Sequence, residues 1–477
     1  MERIILSTSQ KALKINLNEN IYGTFAEIGA GQEVVRHFFR TGGASGTIAK
    51  TMSAYDKDFS DAIYGTEEDG RYVTESRLRK MIEHEYHLIE QRLSRKKNPN
   101  RCYFAFSDTV ATINFTKKFK GHGWMGLRFQ LDPKEEPNDV IFHIRMKEEE
   151  AYLQQETIGI LGVNLIYGCF HIRNNPEELL RSLYDNIAKY KIEIDMVHFE
   201  GPAFEAVDNR LMSLQLIKNG MTDAVIFGPE GKNILPAALL YKKNILALRG
   251  SFRPATKVNL DMIKTGYSNF IKERKVDREK LVVLFEITLN NLKSEGEIDE
   301  QDFLDRAEIL CSLGQTVLIS NHQEYYKLVE YFSRYTEERM GLIMGVTNLL
   351  ELFDGKYYRS LKGGILEAFG ILYSTDLKLY VYPSQPTTES KIEDSTSIKI
   401  HPRFKPLYDF LISNRRIIDI EDYDPEILQI FSRDILRKIR NGEKGWEYAL
   451  PAFVDNLIRE KGLFGYSAKT GELKEKE

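Results

Sequence analysis

Several short apolar runs in this chain end in a side chain that can carry charge or move a proton. His171 and Arg173 follow Tyr167-Gly168, and His198 and Glu200 lie in Val197-His-Phe-Glu-Gly-Pro202. Glu230 follows Phe227-Gly-Pro. Arg249 and Arg253 flank Gly-Ser-Phe, Glu286 sits inside Leu281–Leu289, and Asn321-His322 closes the run Ile319-Ser-Asn-His. Carboxylates, imidazoles and guanidiniums gathered at one rim are the equipment for acid–base chemistry on an anionic substrate. On this reading Arg249 and Arg253 hold the anion, with Ser251 and Asn321 beside them. Glu200 or Glu286 handles the proton, and His171, His198 or His322 assists. Glu286 is the sharpest single case, because a carboxylate near the end of so apolar a strand is either paired or used. The plain alternative is that exposed strand ends carry polar residues in any parallel sheet. His198 and Glu200 share a face only if their strand runs on to 200.

Two glycine-rich stretches stand upstream. Ala26-Glu-Ile-Gly29-Ala-Gly31 runs into a helix expected over 31–40. Glycine there lets backbone approach a cofactor, and a helix start offers N–H groups to an anion. The second stretch, Arg40-Thr-Gly-Gly43-Ala-Ser-Gly46-Thr-Ile-Ala-Lys50-Thr51, lacks the contiguous Gly-Lys-Ser/Thr of a P-loop. It leaves either an anion nest, with Gly43 and Gly46 for the turns and Lys50 and Thr51 for charge and hydroxyl, or a helix cap and a loop. Both glycine loops could close over the site as a lid. His84 and His87 are three apart, one short of the zinc-protease spacing, and read as a solvated helix face, so no metal is assigned. Ser251 and Ser320 lie outside any Gly-x-Ser-x-Gly elbow. Cys169, near His171, reads as a buried thiol.

Periodicity supplies the elements that must position these groups. Residues 1–150 read as an N-terminal α+β domain. It holds the glycine loops, a helix over 74–95 capped by Thr74, and an antiparallel meander between 102 and 146. Residues 157–383 read as a parallel α/β domain. Its expected strands are Val163–Tyr167, Ile194–Phe199, Ala224–Phe227, Ile245–Leu248, Leu281–Glu286, Thr316–Ser320, Gly341–Gly345 and Leu377–Tyr382, with helices between them. Such a string fits a doubly wound sheet or an irregular (β/α)8 barrel. Residues 384–400 are polar and read as a mobile loop or linker. Residues 401–477 read as mainly helical, with a charged, frayed tail over 469–477.

Composition removes other classes. Lys and Arg number 66 against 70 Asp and Glu, a net charge of −4, so there is no basic excess for nucleic acid. No apolar run reaches membrane length, and residues 1–20 lack a secretory leader, so no membrane partner and a cytoplasmic location are expected. Three distant cysteines argue against disulfides or a zinc knuckle. The expected partner is a small anionic molecule, phosphorylated or nucleotide-like, and the cofactor is unknown. With 25 Tyr and 26 Phe, a homo-oligomer or a non-catalytic assembly protein is the competing class.

Two resemblances add to this. Phe25-Ala-Glu-Ile-Gly-Ala-Gly31 resembles the first motif of Rossmann-type methyltransferases, which implies S-adenosylmethionine binding. It departs at Gln32-Glu33, where a further glycine is expected. Phe25–Asp56, with Tyr241–Pro254 and Leu318–Tyr326, is similar to an uncharacterised bacterial family with conflicting labels, nicotinate- or nicotinamide-nucleotide adenylyltransferase and outer-membrane receptor among them. The first label implies a nucleotide substrate, but its His-x-Gly-His signature is not present, Gly121-His122-Gly123 being the nearest string. The receptor label conflicts with apolar runs suited to a parallel sheet. No functional residue is carried over from this family.

Overall fold

The computed structural model describes residues 3–467 apart from 69, 295–296 and 388. The chain divides into two compact units, Met1–Asp223 and Ala224–Glu477. The tail read at 469–477 lies outside the described residues.

The first unit is built on six strands: β1 (Ile21–Gly29), β2 (Ile48–Ser53), β3 (Cys102–Ala111), β4 (His122–Phe129), β5 (Asn138–Met146) and β6 (Ile192–Glu200). Their order in the sheet is β2-β1-β3-β4-β5-β6. β1 runs parallel to both β2 and β3, and β3 through β6 form the antiparallel part. A methyltransferase-type sheet would be largely parallel, so the fold around Gly29 and Gly31 differs from what that motif implies. Local chemistry sets the helix starts. α1 (Thr8–Asn16) opens on a Ser7–Gln10 capping box. α2 (Glu33–Arg40) follows the glycine turn, α3 (Lys57–Tyr64) is capped by Asp56, and α4 (Glu75–Arg92) by Thr74.

Val163–Tyr167, expected as a strand, lies in the middle of α5 (Ala151–His171). Leu161 through Cys169 is buried on every side. A helix buried all round has no amphipathic period, so its apolar run reads like a buried strand. Gly162 lets α5 lie against α2, since a Cβ there would come within 2.5 Å of Val34. His171 and Arg173 therefore follow a helix. α6 (Pro176–Ser182) and α7 (Asn209–Lys218) complete this unit, and residues 157–223, expected in the parallel domain, belong to it.

The second unit holds an open sheet. Its strands are β7 (Ala224–Phe227), β8 (Asn233–Ile234), β9 (Asn244–Arg249), β10 (Leu281–Thr288), a separate hairpin of β11 (Lys293–Ser294) and β12 (Glu297–Ile298), β13 (Val317–Ser320), β14 (Met340–Gly345), β15 (Leu377–Tyr382) and β16 (Ile417–Asp419). The order is β16-β15-β14-β9-β10-β13-β7-β8, with β7 and β8 antiparallel and the other six strands parallel. The sheet ends in two edges, so the barrel alternative falls. Numbered along the chain, the six parallel strands run 3-2-1-4-5-6, the doubly wound order.

After the short α8 (Pro236–Leu240) come α9 (Lys257–Phe270) and α10 (Glu300–Ser312). α9 packs close on the sheet: a Cβ at Gly266 would come within 2.2 Å of Ile343. α11 (Tyr325–Ser333), α12 (Val346–Leu352), α13 (Gly364–Leu372) and α14 (Lys405–Ser413) share a core with Ile245, Ala247, Leu284 and Leu318. α15 (Ser432–Asn441) and α16 (Val454–Lys461) end the described chain, each stopped by a left-handed glycine, Gly442 and Gly462. The polar stretch 384–400 is tied down at Ser395, which is 2% exposed and donates to Asp419.

Candidate functional site

In a doubly wound sheet, ligands bind outside the carboxyl ends of the strands, where the strand order reverses. Here that point lies between β9 and β14. A cavity of about 320 Å³ opens there. Arg249, Gly250 and Ser251 come from the end of β9, Thr288, Asn290 and Asn291 from the end of β10. The other wall carries Glu324 and Tyr325 at the start of α11, and Asn348 and Glu351 on α12.

The floor is a closed polar network. Arg249 donates from Nε to Glu286 Oε2 at 2.7 Å and from Nη2 to Glu286 Oε1 at 2.8 Å. It also reaches the carbonyls of His322 and Gln323, at 2.9 and 2.8 Å. Ser320 Oγ donates to Glu286 Oε1 at 2.6 Å. Glu286 is fully buried and the Arg249 side chain 9% exposed. Burial works against the Arg249 charge, but Glu286 outweighs it and the guanidinium is held above its ordinary value. The guanidinium lies over the Tyr325 ring, 4.3 Å from its centroid. Four of the five Arg249 N–H groups are thus engaged inside the protein, and together Arg249, Glu286 and Ser320 tie β9, β10 and β13 to one another.

Arg253 is also engaged. Asp302 on α10 sits between Arg253 and Arg306 and pairs with both. Arg306, 1% exposed, donates to the carbonyls of Ser251 and Asn291 at 2.9 and 2.8 Å. It fastens the two loops that form one side of the cavity. Sequence reasoning missed Arg306. An Asp and an Arg four apart on a mostly buried helix face, Asp302-x-x-x-Arg306, were its only trace. Tyr325, which also lines the cavity, carries a polar group of a different kind. The Tyr325 hydroxyl is buried and has no hydrogen-bond partner among the described residues. Burial raises it to about 12, so it is a donor at neutral pH.

The remaining expected residues are divided. Asn321 is exposed, and the His322 ring packs beside Tyr331 at 5.2 Å. His171, His198, Glu200, Lys50, Thr51 and the four glycines lie in the first unit. β6 does run to Glu200, and His198 Nε2 meets Glu200 Oε1 at 2.6 Å. Arg79 on α4 holds the same carboxylate at 3.1 Å. The His198 hydrogen bond, against burial and with Arg79, lowers Glu200 to about 2. This is a half-exposed ion cluster. Lys50 pairs with the buried Glu85 on α4 at 2.5 Å, and Thr51 is exposed. His171 stacks on Tyr167.

The first glycine turn is packed, not open. Gly29 has φ +91°, and Gly31 lies so close to Asp108 that a Cβ would come within 1.8 Å of its Oδ2. Asp108 on β3 is the register partner of Glu27 on β1. Asp108 is fully buried and Glu27 2% exposed, and neither Asp108 oxygen accepts a hydrogen bond from a described residue. Burial pushes Glu27 up to about 7. Burial, then Glu27, pushes Asp108 well above the usual carboxylate range. Gly43 takes φ +74° beside Asn16, whereas Gly46 faces open space. Among the described residues no group of three or more histidines, cysteines or acids could hold a metal, and no helix is long and apolar enough to cross a membrane.

No protein-family model and no curated protein matches the sequence. Solved structures similar to it include the competence/damage inducible protein CihA from Agrobacterium tumefaciens, at 13% identity, covering 34% of this chain and 93% of that one with a TM-score of 0.23. A competence-damaged protein (CinA) superfamily member from Enterobacter cloacae gives 11% identity, 35% and 98% coverage and a TM-score of 0.23. A Vibrio parahaemolyticus protein provisionally assigned as a nicotinate-nucleotide adenylyltransferase gives 13% identity, 46% and 95% coverage and a TM-score of 0.21. What the chain itself displays is a mixed α/β architecture in two units, the second with its cavity at the strand-order reversal.

Proposed function

We propose that the second unit binds a small nucleotide-like molecule in the cavity at the end of β9, and that the chain is an enzyme acting on it by acid–base chemistry. The observation that carries this reading is the cavity of about 320 Å³ at the strand-order reversal, lined by Tyr325, whose buried hydroxyl has no hydrogen-bond partner among the described residues. A buried polar group left without a partner costs about 1–3 kcal/mol, which a ligand acceptor would recover. The surrounding amides and hydroxyls (Asn290, Asn291, Asn348, Ser251) suit the hydroxyl- and amide-bearing parts of a nucleotide, and the tyrosine rings suit its base. Arg249 and Arg253 are committed to Glu286 and Asp302, so neutral donors on the β9 and β10 loops would meet the anionic end. Of the carboxylates in the wall, Glu324 pairs with Lys327 at 2.8 Å, and Glu351 would handle the proton.

Calorimetric titration of the full chain with nucleoside mono- and diphosphates and dinucleotides tests this. A binding compound should lose about tenfold in affinity on Tyr325→Phe, with stability unchanged or higher. Binding that ignores both Tyr325→Phe and Ser251→Ala would remove the cavity from the account. The assembly reading draws on Phe115 and Phe119 between β3 and β4, which are 103% and 73% exposed. Light scattering of wild type against a Phe115→Ser, Phe119→Ser variant separates it.

A further inference from the structure

We propose that His122 and His143, with Asp195 behind them, form a binding site for a divalent transition-metal ion of the zinc, copper or nickel class on the first unit.

The three residues lie on neighbouring antiparallel strands, β4, β5 and β6. His122 Nδ1 and His143 Nε2 face each other at 3.3 Å. Imidazole nitrogens bind zinc at about 2.0–2.1 Å, and at a near-tetrahedral angle two such ligands stand about 3.3–3.4 Å apart. The observed separation is that of two ligands around one ion. Without an ion the same two nitrogens share one hydrogen bond, which a metal would replace.

The second observation is on the far side of the His143 ring. Its Nδ1 meets Asp195 Oδ1 at 2.6 Å, with the side chains 3% and 4% exposed. With the carboxylate accepting the Nδ1 proton, the neutral ring carries its lone pair on Nε2, the nitrogen 3.3 Å from His122 Nδ1. A metal-binding histidine is held in this way, its second nitrogen donating to a carboxylate that fixes the tautomer and raises the ligand's basicity. The His143 ring is held further by Trp124, 5.0 Å away. One ligand is therefore rigid before any ion arrives. His122, at the surface, supplies the second.

The donor set also limits the site. Among the described residues no third histidine, cysteine or acid joins the pair, so water completes the coordination. Two neutral imidazoles and water suit zinc, copper or nickel better than magnesium or calcium, which take oxygen ligands. Arg145, the cross-strand partner of His122, opposes a cation and keeps the affinity moderate.

Trp124 provides the readout. Its neighbour in the chain's tryptophan count is Trp446, in the second unit, so a Trp446→Phe background isolates the signal. Copper or nickel added to the full chain in that background should quench Trp124 saturably, with zinc competing and calorimetry on the unaltered chain giving one zinc per chain. His122→Ala should weaken binding at least tenfold with the melting curve unchanged. Asp195→Asn should weaken it by about 10–100-fold while leaving some quenching. Quenching that is unsaturable, or that His122→Ala does not change, overturns the proposal and leaves the pair as a histidine–histidine contact.

Discussion

Replacing Glu27 by Gln should make the first unit more stable, and only above mildly acidic pH. Glu27 and Asp108 stand side by side on parallel strands, both buried. Burial raises Glu27 from 4.5 to about 7. A carboxyl whose folded pKa exceeds its unfolded one holds its proton more tightly in the native state. Its favourable contribution is complete below about 4.5 and is lost as pH climbs through about 7. At about 1.4 kcal/mol per tenfold change in proton affinity, the full loss is about 3 kcal/mol. Glutamine has the shape of the protonated acid and does not titrate, so it escapes that loss. The difference between variant and wild type should be small at pH 4.5 and approach about 3 kcal/mol near pH 8.5. Urea unfolding followed by Trp124 fluorescence, in the Trp446→Phe background, measures it on the relevant unit. A variant that is less stable at both pH values, or whose advantage does not grow with pH, would show that Glu27 is ionised and paired in the native state. Asp108→Asn should act in the same direction, since burial raises that carboxyl too.

Other consequences follow from the same packing. Glu286→Gln leaves Arg249 without its counter-charge inside the second unit and should cost about 3–5 kcal/mol in chemical denaturation, whereas Ser320→Ala removes one hydrogen bond and should cost about 1–3 kcal/mol. Gly31→Ala must push aside the Asp108 carboxylate and should lower stability by about 1–3 kcal/mol, while Gly46→Ala, facing open space, should change it by less than about 0.5 kcal/mol in the same assay. Glu200→Gln breaks a half-exposed cluster with His198 and Arg79 and should cost about 1 kcal/mol or less, with the loss fading at high salt.

Runs of apolar residues and their caps were enough to place most elements. Thr74 starts α4, Asn441-Gly442 ends α15, and the short β-rich runs from 102 to 146 form the meander. Each depends on a few adjacent residues, and local chemistry is what sequence displays. Val163–Tyr167 failed because burial on all sides erases the period that separates helix from strand. β16 was missed because three residues, Ile417–Asp419, carry too little pattern to announce an edge strand.

The sequence by itself determined that polar residues would follow the strands, and it singled out Glu286 as a carboxylate needing a partner. Only the tertiary structure decided what that partner was. Arg249 and Glu286 are 37 positions apart and meet because β9 and β10 pair in parallel, register partner to register partner. The same pairing logic set Glu27 beside Asp108, while His122 and His143 meet diagonally across β4 and β5 and Asp195 reaches His143 from the register shift between β5 and β6. Strand register joins residues from distant stretches of chain, and one sequence holds no local trace of which strand lies beside which.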